Sequence, residues 1–142
     1  AVRLSKAFWP TLSKNKGWIV SINGAMSHSP DPFFMVGGAV NAAFLNFTKA
    51  LSKRGLVDGV NVNSINPGMT STDRLITIIQ NNADREGISF VDAEKNALKK
   101  IGLDRFSTPE EVAELAYFLC DPKVRHLTGT EINLDGGKKP TI

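Results

Sequence analysis

The residues best suited to binding chemistry lie in a turn that follows an apolar run. Residues 60–65 contain β-branched side chains typical of a strand, and Pro67 with Gly68 ends that strand abruptly. Thr70 and Thr72 then offer hydroxyl groups at the start of a helical pattern. Ligands of open α/β sheets bind beyond the carboxyl ends of the strands. We therefore expect this loop to bind a ligand, with capping of the helix as the alternative role for the two hydroxyls.

Two further side chains have reactive groups of their own. His28 lies in a proline-containing loop, and a histidine can supply a proton at neutral pH, although a solvated surface position is the commoner situation. Cys120 lies on the apolar side of a predicted helix, where a cysteine is more often a small core residue than a nucleophile. We predict no metal site.

Alternating strands and helices must position these residues. The first ten residues have a helical pattern, and a loop is expected at 13–17. The predicted strands are Trp18–Ile22, 60–65 and Glu131–Leu134, and the main predicted helices are 39–53 and 109–120. The first of these helices should bury one face, formed by Val40, Ala43, Phe44, Phe47 and Leu51. The alternation predicts an α/β fold with parallel strands, which corresponds to half of a doubly wound sheet.

Capping residues mark the starts of later helices. Thr108 is followed by Pro109 at the first helical position and by Glu111 three residues on, which is the pattern of a capping box. Ser89 and Asp92 have the same spacing. Two helices are therefore predicted between residues 73 and 101, ahead of the helix that begins at Pro109.

Composition limits the classes of function. The 142 residues are 42% hydrophobic and 22% charged, which suits one globular domain. The net charge of +3 is spread along the chain, so we predict no nucleic-acid partner. No stretch approaches the roughly 20 apolar residues of a membrane span, and we predict no membrane partner. The single cysteine fits a reducing compartment, and a cytoplasmic location is expected.

Two blocks of sequence together resemble one protein family. Asn66-Pro67-Gly68, followed by Thr72, is similar to the loop after the sixth strand of the short-chain dehydrogenases/reductases. The second block resembles the family's C-terminal third and comprises, in order, residues 105–113, 118–121, 127–129 and 134–137. The resemblance covers nearly the whole chain, but only the second half of the family's pattern. It implies the C-terminal half of a doubly wound, parallel Rossmann-type sheet.

The same resemblance implies a domain organisation and a cofactor. Residues 1–142 would be the C-terminal part of one NAD(P)-binding domain, since no G-x-G-x-x-G phosphate turn occurs here. NAD or NADP would bind with its nicotinamide on Pro67 and Gly68, its carboxamide at Thr70 and its pyrophosphate at Thr72. The ribose side would be lined by Ile22, Asn23 and Gly24.

The family's catalytic residues are replaced in this chain. Counting back from Thr48 places the family's tyrosine at Gly37 and its lysine at Asn41, and the family's serine falls on Gly24. Neither glycine can donate a proton, and an asparagine cannot lower the pKa of a neighbour as an ammonium group does. His28 is a possible substitute donor. No residue is therefore assigned a catalytic role from the sequence.

Two functions follow from this pattern. The chain would belong to a divergent NAD(P)-dependent oxidoreductase that acts on a small carbonyl or alcohol substrate. Alternatively, it would belong to an inactive relative that binds dinucleotide or serves as an oligomeric scaffold. In either case the resemblance implies a homo-oligomer, a dimer or a tetramer, in which the helix bearing Phe44 and Phe47 packs against its symmetry mate.

Overall fold

A computed structural model describes residues 1–138 of the chain. Short 3-10 turns follow the first strand and the last helix. In order, the elements are α1 (Val2–Asn15), β1 (Trp18–Ile22), α2 (Met35–Asp58), β2 (Asn61–Pro67), α3 (Asp73–Glu86), α4 (Phe90–Ile101), α5 (Pro109–Leu119) and β3 (Glu131–Leu134). None of the helices within residues 1–138 is long and apolar enough to cross a bilayer.

The three strands found in residues 1–138 form one parallel sheet in the order β1-β2-β3. Trp18 lies opposite Asn61 in the first pairing, and Ser64 lies opposite Glu131 in the second. Both α2 and α5 pack against β2. The predicted α/β fold, with parallel strands at these positions, is confirmed.

Polar side chains of β2 hold the segment that leads into β3. Asn61 donates from Nδ2 to the Arg125 carbonyl at 2.6 Å, and Asn63 donates to the Leu127 carbonyl at 2.8 Å. The side-chain Oδ1 of Asn63 also accepts from the Thr130 backbone N–H at 3.2 Å. Because these amides are buried, their desolvation is offset by the hydrogen bonds, and the bonds fix β3 beside β2.

Small residues bring α2 close to the sheet. Its buried positions are Thr48, Ser52 and Gly55, and a Cβ built on Gly55 would lie 2.2 Å from the Val60 carbonyl oxygen. The prediction of which α2 residues are buried was therefore wrong for the middle of the contact. There the helix backbone lies too near the strand for large side chains. The larger apolar residues of that prediction flank the contact: Phe44, Phe47 and Leu51 are half-buried, and Val40 is exposed.

The same contact explains where the predicted boundaries of α2 failed. The helix extends beyond the predicted 39–53, because Gly55 lies inside it and Gly59, with φ of 76°, ends it. In α1 the helix passes through the exposed Pro10 to Asn15, where a loop was expected. A proline removes one backbone donor, and the carbonyl left without it faces water on this exposed side.

The helices between residues 73 and 101 form a small hydrophobic core of their own with Phe106. Leu75, Ile79 and Ala83 of α3 pack with Ala93 of α4 and with Phe106. The Ser89 hydroxyl accepts from the Asp92 N–H at 3.1 Å, so the predicted cap of α4 is confirmed. This helix pair lies directly after the loop that ends β2.

The predicted capping box of α5 is confirmed and carries an ion pair. The Thr108 hydroxyl accepts from the Glu111 N–H, and the Glu111 carboxylate accepts from the Thr108 N–H at 2.8 Å. Arg105 donates twice to the same carboxylate, at 2.7 and 2.9 Å. The Arg105 hydrogen bonds, followed by the Thr108 backbone bond, lower the pKa of Glu111 to about 2.

This pKa predicts acid sensitivity. Because the folded pKa of Glu111 lies below its ordinary value of 4.5, the unfolded chain takes up a proton more readily. The contribution of Glu111 to stability is thus complete above about pH 4.5 and is lost as the pH falls towards 2. In urea unfolding at pH 6 to 2.5, Glu111→Gln should lower stability at pH 6 and show less acid loss than the wild type.

Glu114→Gln is the matched control, since it removes an exposed carboxylate from the same helix. If Glu111→Gln and Glu114→Gln flatten the pH dependence equally, the Arg105 and Thr108 contacts are not its origin.

Candidate functional site

The loop after β2 is fixed against the end of β3. Gly68 donates its N–H to the Leu134 carbonyl at 2.9 Å, and a Cβ at this position would lie 3.0 Å from the Asp135 Cα. Close backbone packing therefore accounts for a glycine here, independently of any ligand. Pro67 is the last residue of β2, so the loop begins at the carboxyl end of the sheet.

A second segment holds the next part of this loop. The Thr70 hydroxyl lies 3.0 Å from the Ser107 Oγ, and Ser107 also donates its N–H to the Met69 carbonyl at 3.1 Å. Ser71 in turn donates to the Ser107 carbonyl at 2.8 Å. No local pattern indicates Ser107 as a partner of Thr70, because the contact spans 37 residues.

The hydroxyls of Thr70 and Thr72 do not cap α3. Thr72 occupies the N-cap position, yet its side chain makes no capping bond and donates instead to the Thr70 carbonyl at 3.3 Å. The capping alternative is therefore wrong. The first turn of α3 has backbone N–H groups without a side-chain cap, which is the arrangement that binds anionic groups.

Gly24, which follows β1, lies beside Asn41 of α2, and both positions were singled out in the sequence. Asn23 donates its N–H to the Ile65 carbonyl at 2.8 Å and its Nδ2 to the Asn41 carbonyl at 3.1 Å. A Cβ built on Gly24 would lie 2.7 Å from Asn41 Nδ2. The Asn41 amide thus fills the space beside Gly24. Ile22, at the end of the strand, is exposed.

An aromatic ring covers Gly37, the position at which the tyrosine of the family was expected. A Cβ on Gly37 would lie 2.1 to 2.6 Å from three atoms of the Phe34 ring. Phe34 stands at the N-cap of α2 and is 38% exposed. An apolar ring therefore occupies the space into which a side chain at residue 37 would extend.

His28 is an exposed loop residue that also contacts the sheet. Its Nε2 lies 2.7 Å from Glu131 Oε1 and 2.8 Å from Oε2, and the same carboxylate accepts a hydrogen bond from Asn66 Nδ2. The exposed loop position expected for His28 is confirmed, although its ring also contacts a carboxylate. Glu131 was not a candidate in the sequence, because only the strand register brings it to this place.

A cavity of about 520 Å³ opens beside the loop. Ser71, Thr72 and Asp73 form its polar edge. The remaining wall is mostly apolar and consists of Leu75, Ile76, Ile79, Phe90 and Phe106, with Glu94 as the one further charge in this lining. A site with apolar walls and a few polar groups at one edge suits a small organic molecule.

The other reactive residue does not join this site. Cys120 is exposed after α5, so its predicted core position is wrong, and partial burial raises the pKa of its thiol. Within residues 1–138, no three side chains of the metal-binding types His, Cys, Asp and Glu come together.

Comparison with known proteins shows the family of this chain. A family model described as enoyl-(acyl carrier protein) reductase matches residues 1–139. A solved structure of a short chain dehydrogenase family protein from Francisella tularensis subsp. tularensis SCHU S4 superposes with a TM-score of 0.86 at 31% identity. It covers 96% of this chain and 58% of that one. The chain belongs to the short-chain dehydrogenase/reductase family.

Two other members are informative. The NADPH-dependent reductase BacG of Bacillus subtilis (strain 168) is 32% identical over 126 residues, which are 89% of this chain and 49% of BacG. A short-chain oxidoreductase of Pseudomonas aeruginosa PAO1, described as containing an atypical catalytic center, has a TM-score of 0.82 at 26% identity. That match covers 97% of this chain and 53% of the other. The chain spans about half the length of the curated relatives it matches.

The ring over Gly37 generates a prediction about stability. Gly37→Tyr should lower the free energy of unfolding by about 1–3 kcal/mol, because the new side chain must displace the Phe34 ring. Adding Phe34→Ala should recover much of this loss, so the two changes should be non-additive in chemical denaturation.

Phe34→Ala alone completes the cycle and measures what the ring itself contributes. Strict additivity of the two substitutions would contradict the overlap between Phe34 and a side chain at residue 37.

Proposed function

We propose that this chain forms the nicotinamide side of the site in an NAD(P)-dependent oxidoreductase that acts on a small carbonyl or alcohol compound. The observation that carries the proposal is the loop from Pro67 to Thr72, which lies at the carboxyl end of the sheet and leads into the uncapped start of α3. The backbone N–H groups there suit a pyrophosphate. Relatives described as reductases support the same activity.

The assigned contacts follow from this placement. In the proposal, Pro67 and Gly68 pack on the nicotinamide, Thr70 meets its carboxamide, and Thr72 meets the pyrophosphate. Ile22, Asn23 and Gly24 line the ribose side. The cavity beside Thr72 would hold the substrate, since it lies between the loop and the helices α3 and α4.

We also propose that the chain is the C-terminal part of a larger nucleotide-binding domain. The supporting observations are the half-length matches to relatives and the edge position of β1, whose Ile22 is 48% exposed. A parallel strand at an open edge is normally covered by a neighbour. The cytoplasmic location expected from the sequence stays a prediction.

One observation favours a second candidate, an inactive relative that binds dinucleotide. The three replaced positions, Gly24, Gly37 and Asn41, carry no group that titrates near neutral pH, and the Phe34 ring fills the space at Gly37. His28 is held by Glu131 and remains the proposed substitute donor. The Pseudomonas aeruginosa relative with an atypical catalytic center supports the view that members of this fold depart from the usual residues.

Titration and turnover separate the two candidates. The complete polypeptide should bind NADH or NADPH, and Thr72→Val should weaken binding roughly tenfold through loss of one hydrogen bond to a charged group. Thr77→Val, five residues further along the chain in α3, is the matched control. With ketones and aldehydes we expect slow turnover, because a missing general acid costs about 10²- to 10⁴-fold.

Each result has one meaning. Slow turnover that His28→Gln abolishes would support the oxidoreductase with a substitute donor. Dinucleotide binding without any turnover would support the inactive relative. If neither dinucleotide binds, both candidates fail.

The outer face of α2 favours a homo-oligomer. Val40, Leu56 and Val57 are 61 to 79% exposed, and the half-buried Phe44 and Phe47 stack at 6.5 Å between ring centroids. A helix that is apolar on more than the face it buries usually meets a partner. We propose that this partner is the α2 helix of a second copy.

Light scattering tests this assembly. The complete polypeptide should be a dimer or tetramer at micromolar concentration, and Val40→Glu with Val57→Glu should shift it towards monomer by placing charge in the contact. Lys53→Glu, a charge change at an exposed polar position of α2, is the control. A wild-type monomer would contradict the proposal.

A further inference from the structure

We infer that a groove between α2 and the start of β3 binds a small zwitterion of the amino-acid type. The groove has a volume of about 560 Å³, within the usual range of small-molecule sites. Ala42, Leu45 and Val62 form its apolar walls. Ser64 and His28 also line the groove, so it adjoins the proposed substitute donor, but none of residues 67–72 lines it.

Buried hydroxyl groups face this groove. Ser64 is 1% exposed, and its Oγ has no hydrogen-bond partner among residues 1–138. The Oγ of Ser27, another residue that lines the groove, is likewise buried without a partner in that part of the chain. Buried polar groups are nearly always hydrogen-bonded, and an isolated buried hydroxyl is costly. Two such groups lining one groove point to a polar ligand.

Charges of opposite sign lie at the two ends of the groove. Lys49 donates from Nζ to the Gly129 carbonyl at 2.6 Å, and an ammonium group has three donors. At the other end, the Glu131 carboxylate binds His28 and Asn66. Gly129 is a bend residue with φ of 70° and lies two residues before Glu131, where β3 begins.

This pairing of charges selects the ligand class. A simple anion near Lys49 would also face the Glu131 carboxylate, and a simple cation near Glu131 would face the Lys49 ammonium. A molecule with both charges matches both ends: its carboxylate accepts from Lys49 and Ser64, and its ammonium donates to Glu131. A carboxylate accepts from several donors at once, so Glu131 can keep His28 as a partner.

Calorimetric titration of the complete polypeptide tests this site. The probes are glycine, β-alanine and γ-aminobutyrate, which differ in the spacing of their charges, with acetate and ethylamine as single-charge probes. At least one amino acid should bind more tightly than either single-charge probe. Lys49→Met and Glu131→Gln should each weaken its binding roughly 10- to 100-fold. Lys53→Met, one turn further along α2, should leave it unchanged.

Ser64→Ala distinguishes an effect on ligand binding from an effect on stability. Removing a hydroxyl that lacks a protein partner should leave thermal stability equal or higher, yet should weaken the binding of the amino acid several-fold. Three results would overturn the inference: no amino acid binds to protein whose near-ultraviolet circular dichroism shows native packing; acetate or ethylamine binds as tightly as the best amino acid; or Lys53→Met weakens binding as much as Lys49→Met.

Discussion

The buried amide side chains of β2 are the contacts on which the arrangement of the site depends. Asn61 and Asn63 bind backbone groups of residues 125–130. These bonds fix the path of the chain into β3, and β3 in turn sets the positions of Gly68 and Glu131. Loss of one amide would leave buried carbonyl groups unpaired, which typically costs about 1–3 kcal/mol each.

The fixed sheet explains how the loop after β2 is organised. Gly68 packs on the end of β3, Thr70 meets Ser107, and Thr72 lies at the start of α3. Three separate parts of the chain therefore hold a loop of only six residues from Pro67 to Thr72. A loop held in this way presents its hydroxyl and N–H groups in a preorganised position, which favours binding.

Much of the fold could be predicted from local patterns. Trp18–Ile22 and Glu131–Leu134 were predicted to the residue. The first is a short, mostly apolar run, and the second alternates polar and apolar residues before a glycine turn. The start of α5 followed from Thr108, whose capping box depends only on residues three apart. The true end of α2 could not be predicted, since Gly55 has the sequence signal of a helix stop but serves close packing on Val60.

The site was predictable only in part, because its details depend on contacts between distant residues. The sequence drew attention to the loop and to His28, Gly24 and Gly37. It did not show the Phe34 ring over Gly37, the Asn41 amide beside Gly24 or the Glu131 carboxylate at His28. Each of these contacts depends on helix position or strand register, neither of which has a local signal.

The most direct test of the central claim is a crystal structure of the complete polypeptide with NADP⁺ or NAD⁺. The account places the nicotinamide against Pro67 and Gly68 and the pyrophosphate at the start of α3, beside Thr72. Density for the dinucleotide in those positions would agree with it. A dinucleotide bound elsewhere, with no contact to residues 67–72, would contradict it.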